Sequence, residues 1–263
     1  MVIQINAQSW LALAIGNSRN HWARFVNHQL VETWHTPHLT EPPSTSNSPT
    51  PNCPIVLASV VPAQTQFWQA LSNPPPILQL SDIPIGNVYP TLGIDRALAL
   101  WGAIVTYGAP VLVIDSGTAL TLTGADAEHN LFGGAIFPGV GLLYRTLHRS
   151  TAALPVIQAP ESMTDRWAND THNAIHSGIT HFLGAGLGNF IQDWQQQFPG
   201  SPIVFTGGDG ERLQDWYRLI NAPIGDSSVA YWPTRVDPDL IFRGMQALVS
   251  TESSPGCPTA GPN

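Results

Sequence analysis

The 263-residue sequence predicts an α/β fold of two related lobes with a cleft between them. Three observations carry this. Two segments, starting at Leu11 and Val111, share one plan: an apolar strand, a small-residue turn and a returning strand. Strand-like runs alternate with helical stretches along the chain. The length suits one large domain or two related lobes, and a 43% apolar composition fills cores without cross-links.

The elements follow in order. Residues 9–14 alternate and then run apolar, as a first strand, and 16–18 turn the chain. Residues 21–26 and 29–34 read as two further strands, with Asn27-His28 as the hairpin turn between them. Residues 36–54 are rich in Pro, Ser and Thr, a surface loop. A buried strand over 55–60 precedes a helix over 62–71. A strong helix covers 95–107, and a β-branched strand over 111–115 ends on a carboxylate. The apolar run 97–114 approaches membrane-spanning length. Glycines and Pro110 interrupt it, so it reads as a buried helix, a turn and a buried strand. Gly117-Thr118 turns the chain and 120–123 returns it. Residues 130–137 hold a paired glycine, and Pro138-Gly139 opens a helix to His148. A long helical stretch over 171–198 carries four glycines. A strand over 203–206 runs into Gly207-Gly208, a helix follows to Ile220, and 239–249 form the last helix. The expected lobes are 1–110 and 111–250, with a disordered tail over 251–263.

Composition removes several function classes. The net charge is −8, so neither a nucleic-acid footprint nor a polybasic membrane patch is expected. All ten basic residues are arginine. A Walker lysine, a Schiff-base lysine and the strand lysine of protein kinases are thereby excluded. Cys53 and Cys257 make neither a disulfide framework nor a zinc pattern and read as cytosolic thiols. With no basic segment before an apolar one at the start, a cytoplasmic location is expected.

Charge on an anionic substrate must then be met by backbone dipoles, arginine or bound cations. Ala14-Ile15-Gly16-Asn17-Ser18 offers a glycine bend whose successive N–H groups suit an anion, with neutral donors beside it. An ordinary hairpin turn uses the same residues. Asp115-Ser116-Gly117-Thr118-Ala119 puts a carboxylate at the end of a buried strand, a costly placement unless a cation or donors compensate it. In Gly93-Ile94-Asp95-Arg96, Asp95 can cap the next helix or orient a hydroxyl, and Arg96 can grip a carboxylate. Thr206-Gly207-Gly208-Asp209-Gly210 leads from strand to helix, a geometry suited to phosphate or base. His172 and His176 lie four apart, but position 173 is Asn, so the zinc-protease motif is not formed.

Taken together and in order, these motifs resemble the type III pantothenate kinase family, within the acetate and sugar kinase, Hsp70 and actin superfamily. The resemblance runs from the turn at 14–18 through 93–96, 115–119, Gly133-Gly134 to Gly139, Thr171 to Gly178, and 206–208. It implies two RNase H-like (actin-like ATPase) lobes and ATP-dependent phosphorylation of pantothenate, the first step of coenzyme A synthesis. It further implies a divalent metal such as Mg2+, a monovalent cation (K+ or NH4+) and a homodimer. By the same resemblance Asp95 is the base. Tyr89, Gly93, Ile94, Asp95, Arg96 and Thr171 bind pantothenate, Thr171 from the partner subunit. Ala14, Ile15, Gly16, Asn17, Ser18, Arg19, Asn20, His21 and Thr118 surround ATP, and Asp115 holds the monovalent cation. One position departs: the family's first motif begins with aspartate, and here it is Ala14. That leaves a second reading open, a non-catalytic ATP-binding accessory or regulatory relative. A kinase of another small hydroxylated acid or sugar is a third.

Overall fold

A computed structural model of the chain describes residues 3–5, 7–43, 53–222 and 232–251. Residues 44–52 of the expected loop and 252–263 of the expected tail lie outside the described residues. The chain divides into two compact units: Met1–Thr106 together with Leu240–Asn263, and Tyr107–Asp239.

The first unit opens with β1 (Ile3–Ile5) and continues into a sheet of β2 (Ser9–Ile15), β3 (Asn20–Val26), β4 (Gln29–Thr36) and β5 (Ile55–Ser59). Their order is β4-β3-β2-β5. Every residue of β2, a central strand between antiparallel β3 and parallel β5, is buried. The expected hairpin joins β3 to β4, with Asn27 and His28 at φ 49° and 61°, the left-handed pair that a two-residue turn between twisted strands requires. On the buried face Trp34 of the edge strand stacks on Trp22 at 5.8 Å, and Trp22 meets Trp68 of α1 (Pro62–Gln69). With Leu11, Leu13, Ile15 and Leu57 these rings form the core on this side. An isolated parallel bridge from Leu57 to Ile77 adds a fifth position beyond β5. Helix α2 (Ile94–Tyr107) ends before Gly108 and Pro110, so the long apolar run is the helix, turn and strand that were expected. No helix among the described residues is long and apolar enough to cross a membrane.

The second unit is a meander of β6 (Val111–Ser116), β7 (Ala119–Ala125) and β8 (Leu131–Pro138), followed by α3 (Val140–Arg149) and α4 (Thr171–Gln197). Then come β9 (Ile203–Thr206), α5 (Gly210–Asn221) and β10 (Arg235–Val236). The sheet order is β10-β9-β6-β7-β8, with β9 parallel to β6. Trp194, Trp216, Tyr217 and Phe205 dominate its core. Helix α4 stays continuous through its four glycines. Two of them, Gly184 and Gly188, lie against Ile220 and Asn221 of α5, while Gly178 and Gly186 face open space.

Each of the two larger sheets thus contains three antiparallel strands and a fourth that returns parallel to the first, the RNase H-like arrangement. The strands β2, β3, β4 and β5 correspond to β6, β7, β8 and β9. This is the duplication read from the sequence.

The end of the chain differs from the expectation. The last helix is shorter, α6 (Leu240–Gln246), and Val249 begins β11 (Val249–Thr251), which pairs parallel with β1. Three-residue strands are too short to show a period. The chain from Leu240 onward groups with the first unit, although 111–250 was read as one lobe. The physical cause is a pair of glycines. A Cβ on Gly102 would overlap the Leu240 carbonyl, and a Cβ on Gly244 would overlap the Leu98 carbonyl, so α2 and α6 touch backbone to backbone. Gly102→Val is expected to destabilise the fold by about 3 kcal/mol, since the clash is with main chain. Urea unfolding followed by circular dichroism checks this, and an unchanged midpoint would contradict it.

Candidate active site

The first turn follows β2. Gly16 N donates to Arg19 O at 3.1 Å and closes it, as Gly117 N donates to Ala119 O at 2.9 Å in the second unit. Asn17, Ser18 and Arg19 are exposed. Asn20 is fully buried: its Nδ2 donates to Pro37 O at 2.9 Å, while its Oδ1 has no hydrogen-bond partner. His38 Nε2 donates to Gly16 O at 2.8 Å; a carbonyl only accepts, so this nitrogen carries the proton. The Gln64 side chain takes both backbone groups of Leu39, at 2.9 and 3.0 Å. The segment after β4 is therefore fastened to the first turn by His38 and to α1 by Gln64. Sequence reasoning did not find His38, Gln64 or His35, because nothing in their local pattern announces a contact made across a sheet.

The registers align the two turns. Across the first sheet the row reads Ala58, Ala14, His21, His35. Across the second it reads Thr206, Asp115, Thr121, Ile136. Ala14 therefore occupies the place that Asp115 holds in the other copy of the plan. Beside it stands His21, whose Nε2 is 3.6 Å from where a Cβ on Gly16 would lie. Its ring meets His35 edge-on, with centroids 4.6 Å apart. Burial first, then the positive charges of His35 and Arg19, lower the His21 pKa from 6.5 to about 4. The neutral form is thus favoured by folding. As pH falls below 6.5 the unfolded chain takes up the proton first, and stability is lost progressively down to about 4. His21→Asn is expected to flatten this limb of a plot of urea midpoint against pH; an identical limb would count against it.

At the second turn the glycine motifs converge. Asp115 is in register with Thr206, and Gly207 follows at φ +81°. A Cβ there would overlap Asp115 Oδ1 and Ser116 O, and a Cβ on Gly139 would overlap the Gly117 and Thr118 carbonyls. Asp209 N donates to Ser116 O and Gly139 N to Thr118 O, both at 3.0 Å. Thr118 is exposed, and the Ser116 hydroxyl is buried without a partner. The Asp115 carboxylate is a hard oxygen donor at the strand end, which suits a cation, while the Ser116 side chain points to the opposite face of the sheet.

In the first unit Asp95 sits in the opening turn of α2. Its Oδ1 accepts from Arg96 N at 2.8 Å, and its Oδ2 takes no hydrogen bond from the described residues. The helix-capping and functional readings therefore hold together. Gly93 is required here, since a Cβ would overlap the Asp95 carboxylate. Arg96 is 7% exposed, and its Nη1 donates to Tyr89 Oη at 2.9 Å. An open cavity of about 760 Å³ reaches Gly93 and Ile94, lined by uncharged groups that include Ser59, Gln66 and Gln79.

Thr171 opens α4 and is exposed; Asp170 caps the helix by accepting from Asn173 N at 2.9 Å. His176 Nδ1 is 3.0 Å from the Tyr144 hydroxyl, and His172 meets His176 edge-on. No group of three or more metal-ligating side chains occurs among the described residues.

Two RNase H-like units, each ending its first central strand in a glycine turn, define an actin-like fold. The type III pantothenate kinase family matches residues 10–193. A Type III pantothenate kinase of Thermosynechococcus vestitus is 46% identical over 244 residues, 91% of this chain and 89% of that protein. One from Synechocystis sp. is 44% identical over 243 residues, 91% and 90% of the two chains. A crystal structure of a conserved Campylobacter jejuni protein, described as a Baf family transcriptional activator, shares the fold: TM-score 0.56, 20% identity, 90% of this chain and 96% of that one. The chain belongs to the type III pantothenate kinase family.

Proposed function

We propose that the chain is an active pantothenate kinase, transferring the γ-phosphoryl group of ATP to the pantothenate hydroxyl at the start of coenzyme A biosynthesis. The observation that carries this is Asp95. One oxygen is fixed by the amide of Arg96 and the other is open, beside a buried arginine steadied by Tyr89. Asp95 orients the hydroxyl and takes its proton as the oxygen attacks the γ-phosphorus and the bond to the ADP oxygen breaks. Arg96 meets the pantothenate carboxylate. The turn at 14–21 in the first unit and Thr118 in the second are each assigned to binding of ATP phosphate. Asp115 holds a monovalent cation, K+ or NH4+. Phosphoryl transfer needs alignment and charge neutralisation more than covalent help, and without lysine that charge falls to backbone N–H groups, arginine and cations. Mg2+ accompanying ATP supplies part of this neutralisation when bound.

The proposed active form is a cytoplasmic homodimer, to which Thr171 contributes from the partner subunit. Support comes from a stripe of α4 at four-residue spacing, Gly178, Phe182, Gly186 and Phe190. Both phenylalanines are exposed, Phe182 by 67%, and both glycines face open space. Alternating knobs and hollows suit a second copy of themselves. Phe182→Asp is expected to yield a monomer in sedimentation equilibrium; an unchanged mass would remove this support.

The non-catalytic reading is not favoured, since relatives at 41–46% identity over most of the chain carry the kinase name. ADP release measured with pantothenate, acetate, glucose and N-acetylglucosamine tests substrate choice. Pantothenate alone is expected to support release, and a sugar preference would overturn the assignment.

A further inference from the structure

The first turn has lost its carboxylate, and what stands in the same row is an imidazole. In the second unit the residue at this register is Asp115, flanked by Thr206 and Thr121. In the first it is Ala14, flanked by Ala58 and His21. Alanine at 14 and 58 leaves the row without an oxygen ligand as far as His21. The ring of His21 leans along the sheet toward the turn, with Nε2 and Cδ2 the atoms nearest the Gly16 position, at 3.6 and 3.7 Å from a Cβ built there. Neither nitrogen of this ring has a hydrogen-bond partner among the described residues. His35 packs edge-on behind it and restricts its rotation. Cross-strand neighbours lie about 5 Å apart at Cβ, so a group at 21 reaches the space that a longer side chain at 14 would fill.

We propose that His21, through its Nε2 lone pair, helps place at the first turn the divalent cation that arrives with the nucleotide phosphates. This rests on the kinase reading and deepens it. One imidazole, or a pair with His35, falls short of a resident metal site, so the phosphates complete the coordination, as they commonly do around Mg2+ in phosphotransferases. The donor is changed in kind. Carboxylate and water suit Mg2+, whereas imidazole suits cations later in the first transition row. The neutral ring leaves the site one negative charge poorer than a carboxylate would. Retention of a hard cation is weakened, and a borderline cation such as Co2+ gains.

The test is cation affinity in the presence of a non-hydrolysable ATP analogue, measured by calorimetry for Mg2+ and Co2+. Wild type is expected to favour Co2+ over Mg2+ more strongly than His21→Ala does, with Co2+ affinity falling at least about tenfold in that variant. Ala14→Asp combined with His21→Ala is expected to recover Mg2+ affinity without the Co2+ preference. Unchanged Co2+ affinity in His21→Ala overturns the proposal. So does an equal loss of analogue affinity with and without cation, which would make the ring a phosphate donor instead. A second measurement needs no variant: Co2+ added to 15N-histidine-labelled protein with analogue must broaden the His21 Nε2 resonance, and a sharp resonance overturns the proposal. If the analogue fails to bind with any cation, the kinase reading itself falls. If it binds and His21 is indifferent, only this inference falls.

Discussion

Asp95→Asn is expected to lower kcat for phosphopantothenate formation by about 10²- to 10⁴-fold while leaving the affinity for nucleotide unchanged. The asparagine carbonyl can still accept from the amide of Arg96, so the opening of α2 and the Tyr89 to Arg96 hydrogen bond are retained. What is lost is the second carboxylate oxygen and its charge. A loose transition state asks little of a base, so much of the effect comes from losing the orientation of the attacking hydroxyl. Steady-state kinetics with pantothenate varied at saturating ATP separate the two contributions. A fall in kcat at constant KM marks an interaction made in the transition state, and a rise in KM alone marks uniform binding. Turnover within about threefold of wild type would remove Asp95 from the reaction, given the size of effect expected of a positioned base.

The second large effect is expected at Gly207. Its φ of +81° disfavours any side chain, and a Cβ would overlap the Asp115 carboxylate and the Ser116 carbonyl. Gly207→Val therefore displaces the strand end that holds Asp115. A displacement on the order of 1 Å lowers a positioned reaction about 10²-fold, and kcat/KM for ATP is expected to fall by that much. The response to K+ should vanish with it, because the ligand proposed for the monovalent cation has moved. Gly208 is the internal control. It is the next residue, and a Cβ there meets nothing within 4 Å. Gly208→Ala is expected to stay near wild type. Equal losses in the two variants would mean that the loop as a whole, and not the packing on Asp115, matters.

Much of this was legible in the sequence, for reasons that can be stated. β2 and most of β6 are apolar because they are buried central strands, and that burial made both copies of the plan visible. The hairpin at Asn27-His28 was legible because few residues accept two consecutive left-handed conformations. Glycine motifs at 117, 139 and 207 were visible as separate turns. Their meeting around the second turn was not, since Gly207 reaches Asp115 through the register of β9 with β6, and Gly139 reaches Thr118 through that of β8 with β7. The same limit hid the row from Ala14 to His35: the residues are far apart in the chain and share no period. β1 and β11 escaped because three residues carry no pattern, and α6 was assigned by position in the chain when the contact of Gly102 with Gly244 decides its place. Ala14 could be seen to depart from the family motif. Only the structure shows an imidazole beside it.

The most direct measurement is formation of phosphopantothenate from ATP and pantothenate by the purified chain, followed by 31P NMR with and without cations. Product is expected with a divalent cation present, faster when K+ or NH4+ is added, and none in chelator. Absence of product under every cation, or undiminished turnover in chelator, would contradict a lysine-free kinase that meets phosphate charge with turns, arginine and bound ions.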